Sequence, residues 1–220
     1  MNGPLQVLIP VSRLDRAKTR LAEVLTPSER RDLALITLQT VLDAVREAGW
    51  KAVVLTSDAD VRDAAGDVMV IEETGDGLGL NGELEKALSS LAATEILILH
   101  ADLPLVDGRS LGALAGAAAP APSVTLVQSP DGGTNAMLLR PPGMFALAYG
   151  AKSFEKHVRA AKAVGMTVTT VESDRLSIDL DTAADVRHLL DSPQGRASAA
   201  GKYLGRNGAG GFPEPPEAVS

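Results

Sequence analysis

The sequence predicts an α/β protein with a mostly parallel sheet and helices on both of its faces. Two observations carry this expectation. Short, continuously apolar runs alternate along the chain with longer stretches whose apolar residues recur at helical spacing, the pattern of strands buried on both faces between covering helices. The length of 220 residues, 45% of them hydrophobic, suits one domain with a full core.

The elements follow in order. Leu5 to Ile9 (LQVLI), closed by Pro10, reads as the first strand and Ala52 to Thr56 (AVVLT) as the second. Between them, Thr26 to Glu29 (TPSE) has the form of a capping box with proline at the first helical position. Leu33, Ile36, Val41 and Val45 then repeat at helical spacing until Gly49, which predicts a long helix. A short helix at Val61 to Ala65, a strand at Val68 to Ile71, a helix at Glu83 to Ala92 and a strand at Ile96 to Leu99 continue the alternation. In the second half, Leu111 to Ala119 is an Ala-rich helix, Val124 to Gln128 a strand, and Ala136 to Leu139 another after the turn-rich SPDGGTN. Ser153 to Val164 reads as a helix ended by Gly165, with Ser153 near its start, and Thr167 to Val171 as a strand. Ser177 to Thr182 (SIDLDT) reads as a strand end and Thr182 to Leu190 as a helix. From Ser192 onward Gly, Pro, Ala and Ser dominate, so residues 192–220 are expected to form a disordered tail behind a folded domain of residues 1–191.

Charge and composition exclude several classes. The 28 acidic and 21 basic residues give a net charge of -7, with no basic run long enough to follow a nucleic-acid backbone. There is no cysteine, hence no disulfide, thiolate metal site or cysteine nucleophile. No signal-like N-terminus and no apolar run long enough to span a bilayer are present, which predicts a cytoplasmic protein without membrane contact.

Candidate chemistry gathers in the segments that follow strands, because ligands of open parallel sheets bind at the strands' C-terminal ends. The first loop, PVSRLDRAKTRL from Pro10 to Leu21, carries Arg13, Arg16, Lys18 and Arg20. It is either a solvated loop or a grip for phosphates, arginine offering a fork and lysine a point charge. The second, TGDGLGLNG from Thr74 to Gly82, has glycines that permit close backbone approach, and Asn81 offers a donor and an acceptor to a base edge. It fits neither the phosphate-binding GxxxxGK pattern nor the dinucleotide fingerprint.

Carboxylates form the next group. Asp102 follows the run ILILH, where an Asx turn before proline competes with a role as a metal ligand. Asp179 and Asp181 stand two residues apart, so on a strand they share a face. Two anions so placed repel unless a cation or proton lies between them. Asp181 could also cap the helix after it, but a cap does not account for Asp179. Together the three could hold magnesium, with phosphate oxygens completing the shell. Finally, GGTNA and YGAKSF supply Thr134, Gly150 and Ser153 near a helix N-terminus able to receive a small anion. The three histidines, His100, His157 and His188, lack ligand spacing and read as structural, and Trp50 as packing.

Taken in order, AKTRL, ADLP, DGGTNAMLL, YGAKSFEKHV and IDLDT resemble the guanylyltransferases of deazaflavin coenzyme F-420 biosynthesis, which act on 2-phospholactate or phosphoenolpyruvate. The similarity runs from about Leu5 to Leu190. It implies a three-layer nucleotidyltransferase fold resembling glycosyltransferase A. It further implies transfer of GMP from GTP to the phosphate of a small phosphorylated carboxylic acid, release of pyrophosphate, and hand-over of the product to the pathway's downstream transferase. By this resemblance Asp102, Asp179 and Asp181 match the magnesium ligands, and Thr134, Gly150 and Ser153 the acceptor site. Lys18 and Arg20, with Arg13, match the triphosphate-binding loop, and Asn81 and Gly82 the region that meets guanine. Lys18, Arg20 and Asp102 are the expected catalytic groups. One departure is that Ser12 and then Arg13 follow PV where the pattern often has lysine. Three readings compete: 3-phosphoglycerate as acceptor, a related transferase acting on another cofactor or sugar, and a GTP-binding module without turnover. An aspartyl-phosphate phosphatase also uses two aspartates one residue apart, but its pair opens the fold, and Asp179 comes too late for that.

Overall fold

A computed structural model of the chain describes residues 5–15, 17–75 and 77–206. Among the described residues seven strands form one sheet: β1 (Gln6–Pro10), β2 (Lys51–Leu55), β3 (Met69–Ile71), β4 (Ile96–Leu99), β5 (Ser123–Gln128), β6 (Thr134–Arg140) and β7 (Thr167–Thr170). Their spatial order is β3-β2-β1-β4-β6-β5-β7. Only β6 runs against its neighbours, antiparallel to both β4 and β5; the remaining pairs are parallel. The register Leu8↔Val53 and Leu8↔Ile98 lines up fully buried residues across the centre.

Alternation along the strands divides the core. Val7, Ile9, Val54, Leu97, Leu99 and Leu138 face one layer, built from α1 (Pro27–Glu47), α2 (Ala59–Ala65) and α4 (Gly108–Gly116). Leu8, Val53, Ile96, Ile98, Leu126 and Met137 face the other, built from α3 (Gly79–Ser90) and α5 (Ser153–Ala163). Helices therefore cover both faces, as the sequence pattern predicts. α1 begins at the expected capping box, Thr26 accepting from Glu29 N–H while the Glu29 side chain accepts from Thr26 N–H. Each fully buried leucine of α1, such as Leu33 and Leu38, contributes about 1.5–3 kcal/mol by leaving water. Trp50 packs partly buried against the first layer.

Two expectations are corrected. The SIDLDT stretch is not a strand: Asp174–Ser177 closes a one-turn helix, α6, and residues 178–181 run without a sheet partner into α7 (Ala183–Asp191). The tail expected to be disordered from residue 192 is folded through residue 206, as α8 (Pro193–Ala197) and α9 (Ala199–Arg206). Ala200 and Leu204 are fully buried there, in a third cluster with Leu21, Leu33, Leu180, Val186 and Leu189. Its glycines are contact points: a Cβ on Gly195 would lie 1.7 Å from the Leu189 carbonyl oxygen, and one on Gly201 1.9 Å from that of Gly195. Residues 207–220, the rest of that expected tail, lie outside the described residues, as does Arg16. Among the described residues no helix is long and apolar enough to cross a membrane.

Candidate active site

The C-terminal ends of β1 and β4 are adjacent, so the loop after Pro10 and the turn after Leu99 meet. Lys18 lies in the first of these, in the left-handed region at φ 52°, a conformation that costs a non-glycine residue on the order of 1 kcal/mol and is tolerated where surroundings over-determine it. Three contacts do so here. Lys18 Nζ donates to the Leu180 carbonyl at 2.8 Å and lies 3.5 Å from Asp102 Oδ2 and 4.0 Å from Asp181 Oδ1, with its side chain 5% exposed. The lysine is thus the cation between two of the three expected metal-binding carboxylates.

The electrostatics of the acidic group follow from crowding. Burial drives the Asp102 carboxyl upward, but Lys18 and then His100 beside it hold it below its ordinary range. Its Oδ1 is buried and has no hydrogen-bond partner among the described residues. The Asp179 carboxyl is pushed up to about 7, first by burial and then by Asp102, Asp181, Asp185 and Asp131. Asp181 is raised by burial and by Asp102, against Lys18 and Arg20. Three carboxylates therefore share one negative field. Among the described residues, however, no set of three acidic or histidine side chains lies close enough together to hold an ion as they stand.

Neighbouring residues fix this arrangement. Asp181 is not a helix cap: Thr182 caps α7, in a capping box with Asp185, which leaves the Asp181 carboxylate facing Lys18. Leu180, fully buried, turns inward between the two aspartates. Asn135 of β6 donates through its side-chain amide to the carbonyls of Leu176 at 3.1 Å and Ser177 at 2.8 Å, while its backbone carbonyl accepts from His100 N–H at 3.0 Å. One buried residue, through its backbone and its side chain together, thereby ties the end of β4 to the segment entering Asp179. The SPDGGTN turn gave Asn135 no sign of this role.

The rest of the basic loop is less concentrated than the sequence implied. Arg13 is exposed and paired with Asp15 at 3.1 Å, and Arg20 is exposed within electrostatic reach of Asp131 and Asp181. A cavity of about 280 Å³ opens beside Lys18, lined among others by Pro10, Ser12, Leu80, His100, Asp102 and Asp181.

The Gly-rich segment forms one rim. Gly75, Gly77 and Gly79 have positive φ. The buried Glu83 carboxylate accepts from the N–H of Thr74 at 3.1 Å and of Gly75 at 3.2 Å, and from Thr74 Oγ1 at 2.9 Å. Those bonds, the Thr74 N–H foremost, lower its pKa. Asn81 uses both ends of its amide on Tyr149, donating to its carbonyl at 3.1 Å and accepting from its N–H at 2.7 Å. In this state Asn81 joins the Gly-rich segment to the segment carrying Gly150, and a base edge has to compete for it. Gly82 is where the Leu78 side chain rests, since a Cβ would lie 2.7 Å from Leu78 Cβ.

Thr134, Gly150 and Ser153 come together at the N-terminus of α5. Ser153 does not cap that helix; the cap position is Lys152, left-handed at φ 55° and without a side-chain cap bond. Ser153 Oγ instead donates to Thr134 Oγ1 at 3.1 Å, both residues being buried. Gly150 has φ 120°, a backbone shape that side-chain-bearing residues avoid. Beneath them His157, read from the sequence as structural, touches Thr134 Oγ1 through Nδ1 at 3.0 Å. The spacing of Ser153 and His157, four residues apart and so on one helix face, is the signal that could have found it.

A sheet of this order with carboxylates and a lysine at its C-terminal edge is that of a nucleotidyltransferase, and solved structures share its architecture. A Desulfovibrio desulfuricans protein assigned as a nucleotide-diphospho-sugar transferase superposes with TM-score 0.77 at 17% identity, covering 93% of this chain and 95% of that one. A Mycobacterium tuberculosis protein solved as a manganese complex gives TM-score 0.55 at 22% identity, covering 86% and 100%. The family described as Guanylyl transferase CofC like matches residues 5–208, and the chain belongs to it. A phosphoenolpyruvate guanylyltransferase of Sphaerobacter thermophilus is 39% identical over 199 residues, 87% of this chain and 95% of that one. Its counterpart in Rubrobacter xylanophilus is 37% identical over 190 residues, 83% and 91%. A 2-phospho-L-lactate guanylyltransferase of Methanothermobacter thermautotrophicus is 34% identical over 201 residues, 90% and 88%.

Proposed function

We propose that the protein transfers GMP from GTP to the phosphate of a small phosphorylated carboxylic acid, phosphoenolpyruvate first among the candidates, as a step in coenzyme F-420 biosynthesis. An oxygen of the acceptor phosphate bonds to the α-phosphorus of GTP, the bond from that phosphorus to the β-phosphate oxygen breaks, and pyrophosphate leaves with the electron pair. The acceptor phosphate is ionised at neutral pH, so no general base is required. The observation that carries the reading is the Lys18 ammonium set between Asp102 and Asp181 at the mouth of the cavity, in a chain of a guanylyltransferase family.

By proposal Asp102, Asp179 and Asp181 would hold a divalent cation, Mg2+, on drawing closer together than they now stand. The site's donors are all hard oxygens, Asp102 Oδ1 is buried and without a partner among the described residues, and the carboxylates of Asp102, Asp179 and Asp181 repel one another, a repulsion that a cation relieves. The manganese complex of the Mycobacterium tuberculosis neighbour is in keeping with this. When bound, the ion neutralises charge on the two phosphate groups and on the departing pyrophosphate. Lys18 and Arg20 add positive charge for the triphosphate, the Gly-rich rim lets the backbone approach the nucleotide, and Thr134, Gly150 and Ser153 hold the acceptor. The acceptor choice is supported by the names carried by the Sphaerobacter and Rubrobacter relatives.

The experiment is pyrophosphate release measured with each of GTP, ATP, CTP and UTP against phosphoenolpyruvate, 2-phospho-L-lactate and 3-phosphoglycerate, with magnesium and with chelator. Release restricted to GTP, phosphoenolpyruvate and magnesium is expected. Release with another nucleotide, or with no acceptor, contradicts the reading.

A further inference from the structure

We propose that His157 is a positioning residue, one that turns the hydroxyl proton of Thr134 outward to the acceptor. The inference rests on the reading of Thr134, Gly150 and Ser153 as the acceptor site, and it is built from donors and acceptors alone. The N–H of Ala148 lies 2.9 Å from His157 Nε2. A backbone N–H can only donate, so Nε2 carries a lone pair, and in a neutral imidazole the proton is then on Nδ1. That proton points at Thr134 Oγ1, 3.0 Å away. Ser153 Oγ donates to the same oxygen at 3.1 Å. Thr134 Oγ1 therefore accepts twice, which uses both of its lone pairs, and its own proton remains without a protein acceptor among the described residues. A desolvated donor left this way favours an anion at the site.

The ring cannot readily turn to swap its nitrogens. Tyr149 meets it edge-on with ring centroids 4.8 Å apart and Phe145 packs at 6.3 Å, and His157 is fully buried. Its neutrality at ordinary pH agrees with the surroundings: burial first, then His100 and Lys156, hold its pKa down at about 4. The consequence differs from the sequence expectation. Ser153 spends its proton inside the protein, and Thr134 is the hydroxyl that donates to the ligand.

Asparagine at 157 keeps a donor in the place of Nδ1 but loses the acceptor for Ala148, whereas glutamine keeps that acceptor and loses the donor. Steady-state kinetics on H157N, H157Q, T134S and T134V, with GTP and acceptor varied in turn, separate the possibilities. The proposal expects the acceptor KM to rise about ten-fold in T134V and H157Q, the loss of one hydrogen bond to a charged group, and to stay near wild type in T134S and H157N, with the GTP KM unchanged throughout. No change in T134V removes Thr134 from the acceptor site and so overturns the reading beneath the proposal. A rise in T134V with H157N and H157Q equally affected leaves that reading intact and overturns the role of His157. Should the variants fold poorly, 15N spectra of wild-type protein labelled at histidine decide the matter: protonation of Nδ1 at pH 7 is expected, and an Nε2–H tautomer contradicts the proposal.

Discussion

Replacing Lys18 by methionine removes the cation around which the acidic group is gathered while keeping most of its volume. The ammonium lies 3.5 Å from Asp102 and 4.0 Å from Asp181. At an effective dielectric of about 20, such pairs attract by roughly 4–5 kcal/mol each before desolvation. Desolvation of the three ions offsets most of that, but removing one partner strands the others, and breaking a buried pair costs about 3–5 kcal/mol. Because the Asp181 side chain is 46% exposed, solvent screens its share, and a loss of about 3 kcal/mol at pH 7 is expected. The sign with pH follows from Asp102. Beside Lys18 its carboxyl is held below the ordinary range, so it stabilises the fold above about pH 4 and ceases to do so below. Without Lys18, burial governs and its pKa rises, so the variant recovers stability relative to wild type as pH falls. Urea unfolding of K18M and wild type at pH 7 and pH 5 should show a deficit that narrows at pH 5 and also narrows with excess magnesium chloride at pH 7. An unchanged midpoint at pH 7, or a deficit equal at the two pH values, would refute the reasoning.

Asp179, raised to about 7 by burial and four neighbouring carboxylates, destabilises the fold as it ionises. D179N is therefore expected to be more stable than wild type at pH 8 by about 1–3 kcal/mol and to lose turnover; a less stable variant in a thermal melt would count against the repulsion. G201A forces a Cβ to within 1.9 Å of the Gly195 carbonyl oxygen and should cost about 1–3 kcal/mol by overpacking, and truncation after Asp191 should cost more, since Leu204 and Ala200 leave the third cluster. Equal melting temperatures for the truncated and full chains would show that α8 and α9 contribute nothing. The depressed pKa of His157 means that the unfolded state takes its proton first, so stability is full above about pH 6.5 and falls between there and about pH 4, by on the order of 3 kcal/mol in all. Acid unfolding of H157N should lack that component.

Much of the fold was legible because strands buried on both faces have no polar positions to disguise them: ILIL at Ile96–Leu99 and VVL within β2 read directly as core strands. The capping box at Thr26 fixed the start of α1 for the same kind of reason, a local hydrogen-bond pattern written in adjacent residues. What was misread depends on contacts made far along the chain. Gly195 and Gly201 suggested flexibility, yet each is glycine because another segment's backbone passes too close for a side chain. The three aspartates and Lys18 could be picked out of the sequence as candidates, but the left-handed backbone that turns Lys18 onto Asp102 and Asp181 leaves no trace in AKTRL. Asn81 looked like a free base-reading amide and is engaged with Tyr149, and His157 looked inert because its partners, Thr134 and Ala148, lie 23 and 9 residues away.

The central claim is a bond between two phosphates, and phosphorus NMR of the reaction mixture observes it directly. With GTP, phosphoenolpyruvate, magnesium and enzyme, the account predicts two mutually coupled signals of a new phosphate–phosphate linkage joining GMP to the acceptor, growing in step with pyrophosphate. Consumption of GTP to GDP and inorganic phosphate, or pyrophosphate appearing with free GMP and unchanged phosphoenolpyruvate, would contradict it.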